Sequence, residues 1–173
     1  MKQRDHQREQ PSARTFGDGA RRKRHAPLNA PDVMISPVLM GGTVRELRDG
    51  QVKVHLHGRL GVLTVPRRLV VEQERLAVGA EVKFFFSYLW IAPHRGDYET
   101  AAMDPAEEIF PALLGGEVTE VNDTAVKVAV TGGLGTVAVP RRWVFTDVPL
   151  AVHQCAEFYF SCMHLVEKGR IQP

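Results

Sequence analysis

The chain has 173 residues, a formal net charge of +2 and an apolar fraction of 44%, the profile of an ordinary folded protein. That length admits one domain or two very small ones. No apolar run approaches the roughly 20 residues of a helical membrane span, and the basic N-terminus has no following apolar core, so it is not read as a secretory signal.

Met1 to about Asp32 has the composition of a disordered tail: Gln, Arg, Ser, Gly and Pro, few large apolar residues, and the basic run Arg21-Arg22-Lys23-Arg24. Met34 stands directly before the first patterned segment, and a chain started there would keep everything that follows. From Ile35 to Leu89 the sequence then says something it says again, without a gap, from Ile109 to Met163, displaced by about 74 residues. Both copies run Ile-x-Pro-x-Leu, Gly-Gly-x-Val, Val-Lys-Val, Gly-x-Leu-Gly, Val-Pro-Arg-Arg, Leu-Ala-Val and Phe-x-Phe-Ser. The repeat decides for two units. Each is roughly 55 residues, marginal for a lone domain, so the copies are expected to pack on each other.

Each copy reads as five short strands. The first begins at Gly42-Thr43-Val44 and Gly116-Glu117-Val118. Its apolar positions, Val44 and Leu47 or Val118 and Val121, are three apart, which predicts a bulge or a strong bend. The second alternates, with Val52, Val54 and Leu56 inward and Lys53, His55 and His57 outward; its twin buries Val126, Val128 and Val130. Gly58-Arg59-Leu60-Gly61 and Gly132-Gly133-Leu134-Gly135 supply hairpin turns. The third strand places Leu63 and Val65, or Val137 and Val139, inward until Pro66 or Pro140 ends it. A fourth is expected at Leu69–Val71 and Trp143–Phe145. The fifth runs from Val82 to Tyr88 and from Ala156 to Cys162, with Phe84, Phe86, Phe158 and Phe160 in the core and Phe85 and Tyr159 facing out as a docking patch. The connector is acidic, and Asp104-Pro105-Ala106-Glu107-Glu108 reads as a short helix with an aspartate cap and an early proline.

Comparing the copies filters candidate function. Arg67-Arg68 recurs as Arg141-Arg142, just after the strand-closing proline. Arginine forks grip phosphate in two places at once. The competing reading pairs them with carboxylates of their own unit, Glu46 or Asp49 and Glu120 or Asp123. Lys53, His55 and His57, with Arg59 nearby, form a basic strand face private to the first copy, of the kind that binds a single strand. Metal at His55 and His57 lacks a third ligand. His153, Cys155, Cys162 and His164 form no base–nucleophile arrangement, and Cys162 reads as a small core residue. Tyr88, Trp90, Trp143 and Tyr159 read as core or contact between copies. Cys155 and Cys162 read as thiols, which points to the cytoplasm.

The glycine, valine and proline order resembles S1-type and related OB or SH3-like barrels. It is also similar to an uncharacterised family of short bacterial single-barrel proteins with a Gly-Arg-Leu-Gly…Pro-x-Arg signature. The resemblance implies an all-β fold of two tandem small five-stranded barrels, over 34–92 and 109–167, joined by an acidic connector over 93–108 and preceded by a tail over 1–33. The S1 likeness implies single-stranded RNA binding on the second and third strands, where this chain offers His55 and His57 as its rings. A cyclic-dinucleotide receptor barrel would need a third arginine where His25 and Ala26 stand, and an Asp-x-Ser-x-x-Gly element that the chain lacks. The reading is therefore a non-enzymatic binding protein, without cofactor or metal. It contacts RNA or another polyanion through Lys53, His55, His57, Arg59, Arg67, Arg68, Arg141 and Arg142. The alternative is a protein-interaction module, suggested by the acidic second copy and connector.

Overall fold

Valines alternating with polar residues fold into strands in both copies. The computed structural model describes residues 35–98, 100–103 and 110–167. The first copy forms β1 (Val38–Arg48), β2 (Gln51–Leu56), β3 (Val62–Pro66), β4 (Glu81–Phe86) and β5 (Leu89–Ala92). The second forms β6 (Ala112–Val121), β7 (Ala125–Val130), β8 (Thr136–Pro140), β9 (Val144–Phe145), β10 (Cys155–Phe160) and β11 (His164–Leu165). The fold is all-β: among the described residues the only helical turns are short 3-10 segments, and no helix is long and apolar enough to cross a membrane. Of the bulge or bend expected in each first strand, the register shows a bulge, between Val44 and Glu46 and between Val118 and Glu120. The fourth strand is shorter than expected. Proline ends the ladder, and 3-10 turns over Arg67–Leu69 and Arg141–Trp143 consume its first residues. What remains is a single bridge at Val70 and the two residues of β9. The tail over 1–33 and the helix expected at 104–108 lie outside the described residues; a 3-10 turn at Thr100–Met103 stands just before the latter.

The strands make one sheet, in the order β11-β4-β1-β2-β3-β8-β7-β6-β10-β5-β9, with β4 also meeting β10. Two separately closed units over 34–92 and 109–167 were expected, and here the hydrogen bonding runs from one copy into the other. Leu63 of β3 sits opposite Val137 of β8, and Phe86 of β4 opposite Phe160 of β10. Each pair joins the same position of the two copies, so an approximate two-fold axis passes through both junctions. The third strands meet at one, the last strands at the other. Phe85 and Tyr159 do lie at the second junction, but serine hydroxyls tie it. Phe85 N donates to Ser161 Oγ and Tyr159 N to Ser87 Oγ, each at 2.8 Å.

The C-terminal arms cross. β5 leaves the first copy to pair with β10 and, in parallel, with β9. β11 returns the exchange by pairing with β4, while Met163 bridges Val70 in parallel. The reason is burial: a unit of roughly 55 residues hides too little apolar surface alone. The result is one core drawn from both copies. Phe84, Phe86, Phe158 and Phe160 fill its centre, with Phe86 and Phe158 edge to face at 5.8 Å and Phe84 and Phe160 at 5.6 Å.

One carboxylate fastens the second arm. Glu72 accepts from the Leu165 amide at 3.0 Å and lies 3.1 Å from His164 Nδ1. Burial works to raise its pKa, but the amide hydrogens of Leu165 and of Glu72 itself, with the His164 ring, more than offset this, and the carboxyl sits below its ordinary value. A depressed acid stabilises fully above its unfolded pKa and loses that contribution as pH falls through the folded one. Glu72→Gln should therefore cost about 1 kcal/mol near neutral pH. The gap from the parent should close below about pH 4, as urea unfolding at stepped pH would register.

Candidate functional site

The twin arginine corners divide their labour. Pro66 and Pro140 hold φ near −58° and −59°, and the chain turns immediately after them. The first arginine of each pair is spent on backbone. Arg67 donates from its guanidinium to the Gln73 carbonyl at 2.8 Å and from its amide to the Gly50 carbonyl at 2.8 Å. Arg141 does the same to Asn122 and Thr124, at 3.0 Å each. Neither corner uses the carboxylates weighed from the sequence. Asp49 is bonded to Arg48 at 3.1 Å, and Glu46 lies 3.9 Å from Lys53. The second arginines, Arg68 and Arg142, are exposed and make no hydrogen bond or ion pair among the described residues.

Between the corners lies a continuous face. On β2, β3, β8 and β7 the alternate residues Val52, Val54, Leu63, Val65, Val137, Val139, Val126 and Val128 go to the core. The opposite face shows Lys53 and His55, then Val62 and Thr64, then Thr136 and Ala138, then Lys127 and Ala129. No carboxylate occurs on these four strands. The nearest, Glu46, Glu117 and Glu120, stand one strand further out, opposite Lys53, Ala129 and Lys127. The Lys53–Glu46 pair is about half exposed on both sides, and such pairs contribute little. Because β3 and β8 are antiparallel, Arg68 and Arg142 follow opposite ends of the ladder. Pro66 and Pro140 are each three residues from the Leu63–Val137 pair, so the corners stand about 20 Å apart.

The remaining sequence candidates separate. His55 is exposed on this face and Arg59 at the adjoining turn. His57 leaves the strand for that turn, lies over Gly41 and pairs with Glu81 at 2.7 Å, while Thr43 donates to the same carboxylate at 2.9 Å. It therefore already faces an acid. His153, Cys155, Cys162 and His164 are scattered. His153 pairs with Glu117 at 2.8 Å, Cys162 is buried 3.5 Å from the Met103 carbonyl, and His164 faces Glu72. Both cysteines are thiols. Among the described residues no three His, Cys, Asp or Glu gather to hold a metal ion.

Two features escaped the strand-by-strand reading. Tyr88 of the first copy and Trp143 of the second, read from the sequence as core or contact between copies, do stack on each other with centroids 3.8 Å apart; the strand pattern does not show that Phe145 joins Tyr88 at 4.8 Å or that Tyr88 and Phe145 are exposed. Trp90 is buried, as expected. The second feature is a groove of about 810 Å³ along the second copy, lined in part by Trp90, Arg95, Glu117, Asp147, His153 and Cys155. At its edge the connector lays Tyr98 on Gly115, where any Cβ would collide with the ring. The Tyr98 hydroxyl donates to buried Glu157 at 2.8 Å and accepts from the Gly96 amide at 3.1 Å. Burial, then the bonds to Cys155 and Glu157, push its pKa far up, so the phenol stays protonated beside the carboxylate. Lys83 occupies the position of Glu157 in the first copy, so repeat comparison passed over this site.

The chain matches no family model and no curated protein. Among solved structures it is similar to one described as the cytoplasmic molybdate-binding protein ModG, in a form with molybdate bound. The identity is 22%, the match covers 74% of this chain and 94% of that one, and the TM-score is 0.26.

Proposed function

We propose that the chain is a non-enzymatic binding protein that holds RNA or another polyanion along the face of β2, β3, β8 and β7. Its architecture is read as two small barrels, each closed by the arm of the other. The observation that carries the reading is the face joining the two copies, whose four strands hold Lys53, Lys127 and no carboxylate, with the guanidinium groups of Arg68 and Arg142, unpartnered among the described residues, beyond its ends. Phosphates lying there replace condensed counterions with Lys53, Lys127, Arg68 and Arg142. Arg67 and Arg141 act by holding the corners, His57 by fixing the turn that presents Arg59. Apolar side chains such as Leu39, Val78 and Phe110 are exposed, an ordinary condition that favours no protein partner. The two thiols suit a reducing compartment, and the cytoplasm is the proposed location.

The test is Arg68→Ala with Arg142→Ala. Binding of labelled RNA should weaken about tenfold at moderate salt, and the dependence of log affinity on log salt should flatten by roughly two phosphate contacts. Parent protein that fails to bind, or binding that ignores salt, would overturn the reading.

A further inference from the structure

We infer that Tyr88, Trp143 and Phe145 form a platform on which the unpaired bases of a single-stranded nucleic acid stack, at the Arg142 end of the cationic face. The inference rests on the polyanion reading above and narrows it to a ligand with exposed bases. Trp143 follows Arg142 directly, so a guanidinium with no internal partner among the described residues and an aromatic cluster share one corner. The cluster is held in place before any ligand arrives. The Trp143 indole donates to the Ser87 carbonyl at 3.2 Å, and Tyr88 lies on it at an interplanar angle of 23°. Tyr88 and Phe145 remain 36% and 37% exposed, so ring surface in this cluster is open to a ligand.

The two-fold relation shows that the fold does not require these rings. The corresponding positions at the other corner are Leu69, Val71 and Cys162. There Leu69 and Cys162 are buried, and Met103 of the connector packs into the core beside the thiol. One corner thus buries Leu69 and Cys162, while the other exposes Tyr88 and Phe145 around a half-buried Trp143. Rings beside an arginine suit a base followed by its phosphate: every base offers a face to stack, and the cation meets the adjoining charge. A duplex keeps its base faces covered, and a polyphosphate has none.

The experiment compares the parent with a Tyr88→Ala, Phe145→Ala double variant that keeps Trp143. Both are titrated with a short single-stranded uridine oligonucleotide and with inorganic polyphosphate of matched charge. Circular dichroism of both proteins reports folding. The expected result is a loss of about tenfold or more for the oligonucleotide with polyphosphate affinity unchanged. In the parent, indole fluorescence should be quenched by the oligonucleotide and not by polyphosphate. Equal affinity of parent and variant for both ligands overturns the platform and leaves the polyanion reading standing. Loss of self-association in the variant, with oligonucleotide affinity unchanged, overturns it in favour of a second copy. A parent that binds neither ligand removes the polyanion reading and the platform together. Should the double variant fail to fold, the Tyr88→Phe, Phe145→Tyr variant with the quenching assay decides: quenching retained supports stacking, and quenching absent from the parent itself overturns it.

Discussion

Gly61→Ala should destabilise the protein by about 3–5 kcal/mol, and Gly135→Ala by a similar amount, a large part of the stability an ordinary domain has. Gly61 has φ +127° and Gly135 φ +97°, in a region where a side chain is strained. Space is the larger difficulty. A Cβ on Gly61 would overlap the Ala138 carbonyl oxygen and crowd the Val139 Cα, while one on Gly135 would meet the Thr64 carbonyl and the Val65 Cα. These are backbone atoms of the opposite copy, so no rotamer change relieves them. Gly79 provides the control: φ is +86°, and a Cβ there would meet nothing within 4 Å, so Gly79→Ala should cost only local strain of about 1 kcal/mol. Urea unfolding of the three variants checks the contrast. Equal stability of Gly61→Ala and Gly79→Ala would mean that β3 and β8 do not meet.

That prediction also shows where the sequence was readable. The Gly-x-Leu-Gly element recurs in both copies and was read as hairpin chemistry, which accounts for Gly58 at φ +68° and Gly132 at φ +74°. Its last glycine serves a different end, letting two backbones approach across the joint between copies. Both roles leave the same letter in the sequence. The strand faces were legible because a half-buried strand must alternate, and Val52, Val54, Leu63, Val65 and the four core phenylalanines are buried as the pattern demands. Pairing between copies was not legible, because a strand's outer edge carries only main-chain donors and acceptors and leaves no trace in side-chain identity. The crossing arms were hidden for the same reason. Leu89-Trp90-Ile91 reads as an apolar strand whichever copy receives it.

The candidate site was legible in part. Repetition pointed to the arginine pairs, and both stand at corners after a proline. It could not divide the first arginine from the second, because that depends on which carbonyl lies within reach once the 3-10 turn forms. Lys127 was passed over because its copy lacks the neighbouring histidines. It becomes part of a basic surface only when β3 pairs with β8. The spacing of the aromatics makes the Tyr88–Trp143 contact between copies legible, but not the exposure of Tyr88 and Phe145. Spacing reports the face of a strand, but Tyr88 and Trp143 lie outside strands, Tyr88 in the link before β5 and Trp143 in the 3-10 turn before β9.

Phe86→Ala is the second large expectation, and it tests whether the two copies are one folding unit. The Phe86 side chain is fully buried, and its ring lies 6.4 Å from Phe84, 5.8 Å from Phe158 and 6.3 Å from Phe160. Two of those partners belong to the other copy, and its backbone pairs with Phe160. Truncation removes apolar burial and leaves a cavity that the surrounding strands cannot close, at about 3–5 kcal/mol. Phe145→Ala, which removes an equally large ring from a partly exposed position, should cost less than about 1 kcal/mol. The form of the transition matters as much as its midpoint. Trp90 belongs to the first copy but sits on the arm paired with β10, while Trp143 belongs to the second. With the arms exchanged, neither copy can lose its core without removing a strand from the other. Indole fluorescence and far-ultraviolet dichroism should therefore report one coincident unfolding in both parent and Phe86→Ala, shifted together. Two separable transitions in the variant, with only the first copy lost early, would show that each unit stands alone and that the exchange of β5 and β11 does not occur.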